Sequence, residues 1–176
     1  MGNDLTHRVT IRSAVPDEAP ALADAARALA ATPGGLASLP HEIRDDAVRD
    51  HIVALSDGRR GTYLVAELEG ALVGHAWLER YALEVTSHVA HLSMAVHEGF
   101  QGRGVGRALL DALIDRAAAH PAIEKLELRV RSSNHRARAL YASAGFVEEG
   151  VFRRRIKVEG GYVDDVSMAR WVEGRP

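Results

Sequence analysis

Cysteine is absent from all 176 residues, which excludes disulfides and thiolate metal sites and makes a cytoplasmic setting the simplest expectation. No apolar run approaches the roughly 18 residues that a bilayer-spanning helix requires, so no membrane association is expected. Met1 to Thr10 is polar and mixed in charge, unlike the basic-then-apolar start of a secretion signal. An excess of one charge is missing too. The 22 Lys and Arg nearly balance 24 Asp and Glu, and a formal charge of −2 gives no footing for a nucleic-acid partner. The nine histidines are scattered without ligand spacing, so no metal is expected. His88 and His91 stand three apart, which on a strand places them on opposite faces. What the chain does have is 47% hydrophobic residues, enough for one core in a single domain spanning 1–176 (core about 8–172).

Periodicity and punctuation give the element order. Val9 to Ala14 reads as a strand ended by Pro16, and Asp17 opens an alanine-rich helix to about Ala31. Two prolines and two glycines make Thr32 to Pro40 a loop before a second helix, Glu42 to Leu55. Residues 62–68 and 71–78 form a hairpin across Glu69-Gly70. A strand near 88–96, a helix from about 104 to 119 and a strand over 124–130 follow. Asn134 caps a helix that Gly145 stops, and two last strands, about 146–156 and 162–171, meet across Gly160-Gly161. Strands alternating with helices in this order indicate one α/β sheet covered on both sides.

One junction concentrates the chemistry. The strand His91-Leu-Ser-Met-Ala-Val96 leads through a short loop into Gln101-Gly-Arg-Gly-Val-Gly-Arg107 and then directly into a helix. Glycines at 102, 104 and 106 remove side chains where the first N–H groups of a helix lie unpaired. The partial positive charge there suits a phosphate or diphosphate. A dinucleotide fingerprint does not fit, because Arg107 stands where its third glycine belongs and the motif lies past mid-chain. A P-loop does not fit either, since Gly-Lys-Ser/Thr is absent.

Gln-x-x-Gly-x-Gly between strand and helix remains, and about 30 residues later stands Asn134-x-x-Ala137-x-x-Leu140-Tyr141-x-x-x-Gly145-Phe146. In these two motifs and in element order from Val9 to about Trp171, the chain resembles the Gcn5-related N-acetyltransferase (GNAT) superfamily. Its end, Val151 to Arg170 with its Gly161-Tyr-Val-Asp-Asp-Val-Ser-Met-Ala-Arg170, and Ser87-His-Val-Ala90 are similar to members acting on amino acids or phosphinothricin-like compounds. The resemblance implies a single mixed, mostly antiparallel sheet, splayed between strands 4 and 5 and flanked by about four helices. It further implies an acetyl-CoA co-substrate, a small-molecule amine as acceptor, and a homodimer through the final strands.

Site residues follow from the same resemblance. Met94, Ala95 and Val96 match the strand that pairs with pantetheine like an added strand. Gln101, Gly102, Arg103, Gly104, Val105, Gly106 and Arg107 match the diphosphate loop. Arg103 and Arg107 either add charge there or are simply solvated. Asn134 matches an amide that contacts pantetheine, and it also reads as a plain helix cap. Tyr141 matches the proton donor to the departing thiolate, against the alternative of a packing aromatic.

The acceptor must be a neutral amine, and an α-amino group with a pKa of about 8 needs only a weak base. Relatives place a carboxylate for this, whereas here Arg129 and His91 occupy those positions. His91 is therefore the best candidate base, with Glu79 and His75 as substitutes. Alternation puts His91, Ser93 and Ala95 on one strand face and Leu92, Met94 and Val96 on the other. Leu36, His41 and Glu42 lie on a loop that is either a wall of the acceptor pocket or an ordinary connection. Arg129, if it faces the cleft, pairs with an acceptor carboxylate. Alternatives are acetylation of a protein N-terminus and a non-catalytic acyl-CoA sensor. Arg153-Arg-Arg155, amid acidic neighbours, reads as a solvated strand.

Overall fold

The structure is a computed structural model that describes residues 9–32, 34–36 and 38–174; Met1–Arg8, Pro33, Ala37 and the last two residues lie outside the described residues. Seven strands form one sheet in the order β1-β2-β3-β4-β5-β7-β6, with β1 Thr10–Ser13, β2 Gly61–Leu68, β3 Ala71–Arg80, β4 Val89–Val96, β5 Lys125–Arg131, β6 Val147–Val158 and β7 Gly161–Trp171. Every pairing is antiparallel except β4 with β5. The hairpin between β2 and β3 turns on Glu69 and Gly70, both at positive φ (52° and 81°), the conformation that matches strand twist in a two-residue turn.

Among the described residues four α-helices cover the sheet: α1 Ala19–Ala31, α2 Asp45–Leu55, α3 Val105–Ala119 and α4 His135–Ser143. Each of the first two starts later than sequence alone indicates, and for the same reason. A short 3-10 turn precedes each, over Pro16–Glu18 and Pro40–Glu42. The Glu18 carboxylate folds back to accept the Val15 N–H (2.8 Å) and that of Glu42 accepts the Leu39 N–H (2.7 Å). Local capping by these glutamates holds a tighter turn before the regular helix begins.

The two faces bury different things. Leu109, Leu110 and Leu113 of α3 pack with Leu64, Ala76, Leu78, Leu92, Leu126 and Leu128 of the sheet into the main core. On the opposite face Leu22 of α1 and Ile52 and Leu55 of α2 pack on Tyr63 and Val65. Each fully buried leucine contributes about 1.5–3 kcal/mol relative to an exposed one, so α3 is the best-anchored helix. That anchoring fixes its N-terminus against the sheet, where the glycine motif lies.

The parallel pair is short. Only Val89–Lys125, Ala90–Leu126 and His91–Glu127 are in register. Beyond His91 the strands part, β4 running on to Val96 and β5 to Arg131. The backbone from Leu92 onward keeps its β3 partners on one side and has none on the other. An opened sheet centre, lined by unpaired backbone groups, is the feature that positions the site.

Candidate active site

At the α3 N-terminus the helix cap is Gly104, whose φ of +81° is the left-handed conformation glycine adopts without strain. No side chain caps this end, so the first-turn N–H groups of Val105, Gly106 and Arg107 are left for a ligand. At Gly106 a Cβ would sit in ordinary van der Waals contact with the Leu140, Met94 and Val96 side chains, at 3.4–3.5 Å. Gln101 shapes the loop, its amide donating to the Val96 carbonyl (3.2 Å) and its oxygen accepting the Gly99 N–H (3.1 Å).

A cavity of about 540 Å³ opens here, lined by Gly102, Gly104 and Gly106, the β4 residues Met94, Ala95 and Val96, and Asn134 and Tyr141 of the α4 side. Among the described residues no carboxylate lines it, while Arg107 and Arg136 do. Val105 is not part of the lining, its side chain being buried in the core. Arg103 lies over the Phe100 ring, 5.4 Å from its centre, and is outside the lining. Asn134 does cap α4, accepting the Ala137 N–H at 3.1 Å. The cradle of bare amides, absent acids and a long unpaired strand edge fits a diphosphate carrying an extended amide arm.

A second cavity, about 1040 Å³, continues on the α1–α2 face and shares Leu36, Met94, Asn134 and Tyr141 with the first. Tyr141 therefore sits where the two meet. Burial leaves it 7% exposed and pushes its phenol up to about 12, so it stays protonated and able to donate across neutral pH. His91 lines the second cavity beside Trp77, ring centres 5.6 Å apart. Its side chain has no hydrogen-bond partner among the described residues. Burial lowers its pKa first and the Arg129 guanidinium lowers it further, against smaller opposing effects of Glu127 and Asp165. The imidazole is thus neutral near pH 7, with a lone pair to accept a proton.

The other candidates separate clearly. Glu79 faces His91 across the β3–β4 ladder and lines the cavity, but both of its oxygens are engaged, one by His51 Nε2 (2.9 Å) and one by Arg60. His75 is away from both cavities: it is buried, hydrogen-bonded to His97 (3.0 Å) and pushed down to about 3 by burial. Leu36 and Glu42 line the second cavity, whereas His41 is exposed outside it. Arg129 lines it too, stacked 5.0 Å from the Phe152 ring and without a carboxylate partner among the described residues.

Sequence reasoning missed several cavity residues, three of which shape the second cavity. Arg131 donates to the Leu36 carbonyl and so ties the α1–α2 loop across the opening. Asp165, 7% exposed, holds Arg155 at 3.4 Å. Trp77 forms the apolar wall. Alternation on β7 puts Asp165 on a single face, but which face meets the cavity depends on its pairing with Arg131, which no local pattern reveals.

The sequence model of the acetyltransferase (GNAT) family matches residues 27–146, more than half of the chain. The chain belongs to this family. It is 33% identical over 107 residues to the L-amino acid N-acetyltransferase AaaT of Escherichia coli (strain K12), covering 61% of this chain and 66% of the relative. With the N-alpha-acetyltransferase RimI of Mycobacterium tuberculosis (strain ATCC 25618 / H37Rv) the figures are 37% over 108 residues, 61% and 65%. The matched stretch thus spans just under two thirds of either relative's length. Among solved structures, a GNAT superfamily phosphinothricin acetyltransferase from Sinorhizobium meliloti, in complex with AcCoA, superposes with a TM-score of 0.85 over 95% of this chain and 90% of that one. At 20% identity that likeness shows the fold alone, and it is the splayed, mixed sheet expected from the motifs.

Proposed function

We propose that this family member transfers an acetyl group from acetyl-CoA to the primary amine of a small molecule that also carries a carboxylate, such as an amino acid. The observation that carries the proposal is the meeting of two cavities at Tyr141: one lined by bare amides and no acid, the other by a neutral histidine and an unpaired arginine.

Acetyl-CoA supplies a thioester as acyl donor. The N–H groups opening α3 hold its diphosphate, and the unpaired edge of Met94, Ala95 and Val96 aligns the pantetheine arm with Asn134 beside it. Arg129 pairs with the acceptor carboxylate, which directs the amine toward His91. His91 takes a proton from the acceptor nitrogen as the new C–N bond forms. Tyr141 donates to the sulfur as the C–S bond breaks. Its phenol is a weaker acid than in water, but the burial that raises it also raises the thiolate it serves.

One relative is named an L-amino acid N-acetyltransferase and the other an N-alpha-acetyltransferase, and both names point to an α-amino group as acceptor. A panel of amino acids, polyamines and peptide N-termini incubated with acetyl-CoA, followed by free-thiol release, tests the proposal. Release with amino acids supports it. Release with peptides alone would replace the acceptor class, and cofactor binding without release on any amine would favour an acyl-CoA sensor.

A further inference from the structure

Three arginines surround the glycine loop, and their surroundings differ. Arg103 covers the Phe100 ring and lies outside the cofactor cavity. Arg107 is neutralised by its i+4 neighbour, its Nε lying 2.8 Å from both Asp111 oxygens. Arg136, in the first turn of α4, lines the cavity and has no carboxylate partner among the described residues. Its Nη2 lies 3.4 Å from where a Cβ on Gly102 would be, so the guanidinium reaches the glycine loop itself. No acid among the described residues lines this cavity to compete for it.

Building on the acetyl-CoA reading above, we infer that Arg136 is the cationic jaw of a diphosphate clamp, closing over the phosphates that rest on the bare N-terminus of α3. A planar guanidinium suits paired phosphate oxygens, and an unengaged one has no internal bond to break before binding. Gly102 then has a second role besides its positive φ of 83°: any side chain there would fill the gap between guanidinium and loop. The diphosphate is the target rather than the distal 3′-phosphate, because Arg136 approaches the loop itself.

The test is calorimetric, on the full chain, with coenzyme A and dephospho-coenzyme A, which keeps the diphosphate but lacks the 3′-phosphate. Arg136→Gln should weaken both ligands by a similar factor, about tenfold or more, while Arg136→Lys recovers part of the loss. Thermal unfolding of both variants checks that the exposed substitution leaves the fold intact. Parental affinity of Arg136→Gln for both ligands overturns the inference. So does a loss confined to coenzyme A, which would put the guanidinium on the 3′-phosphate. If the parent protein binds neither ligand, the acetyl-CoA reading itself fails, an outcome distinct from the other two.

Discussion

At Tyr141 and His91 the same force, burial, sets two protonation states that the proposed transfer needs. It keeps the phenol protonated and the imidazole neutral. Tyr141→Phe removes only the hydroxyl, so turnover should fall by on the order of a hundredfold while coenzyme A affinity, measured by calorimetry, stays near the parental value. A parental rate would reduce Tyr141 to packing against Phe146. For His91 the lowered pKa places the acidic limb of kcat/KM below pH 6.5, and His91→Ala should abolish that limb. Arg129 supplies the sharper check. It faces His91 together with Glu127 and Asp165, and removing a neighbouring cation raises a histidine pKa. Arg129→Gln should therefore move the limb to higher pH as well as raise KM for a carboxylate-bearing acceptor. A limb that does not move would separate the two residues.

At the scale of elements, α4 carries Arg136 and Tyr141 on nine residues capped by Asn134, and its placement depends on its ends. Asn134 starts it by accepting the Ala137 N–H, and Gly145 at φ +86° stops it. Cap and cofactor contact are separable at Asn134, because an aspartate keeps the accepting oxygen and loses the amide N–H. Asn134→Ala should cost about 1 kcal/mol of stability in denaturant titrations. Asn134→Asp should restore that stability without restoring acetyl-CoA affinity. Full recovery of both by aspartate would leave Asn134 a cap only. The neighbouring helix α3 is held differently, by five buried side chains rather than a cap, which leaves its N–H groups free for a ligand.

For the molecule as a whole, the buried His75–His97 pair sets an acid limit. His97 Nδ1 donates to the Leu72 carbonyl (3.0 Å), so its Nε2 accepts from His75 Nδ1, and both rings are held neutral. Burial lowers both pKa values, His75 to about 3, while the unfolded chain binds its protons near 6.5. Between those values the unfolded state holds more protons. The stability from this pair is present above about pH 6.5 and is lost as pH falls below it, at up to about 1.4 kcal/mol per pH unit for each histidine. Urea midpoints measured from pH 7.5 down to 4.5 should fall accordingly, and His75→Gln should flatten the decline. A decline equally steep in the variant would assign it to carboxylates instead.

Local chemistry along the chain was enough to determine the strand and helix order, the glycine loop, the caps at Asn134 and Gly145, and the tyrosine beyond them. Each of these is encoded within a few residues, as a periodicity or a turn requirement. The order of strands about the parallel pair, and the end at which the sheet opens, depend on pairings between distant segments. So did the rank of the histidines: His91 borders a cavity, whereas His75, on the same sheet face through its pairing with Ala95, is sealed against Tyr63 and His97. Asp165, Arg131 and Arg136 gained their places in the same way. A side chain's neighbours across a fold are set by register and packing, and only the assembled structure fixes those.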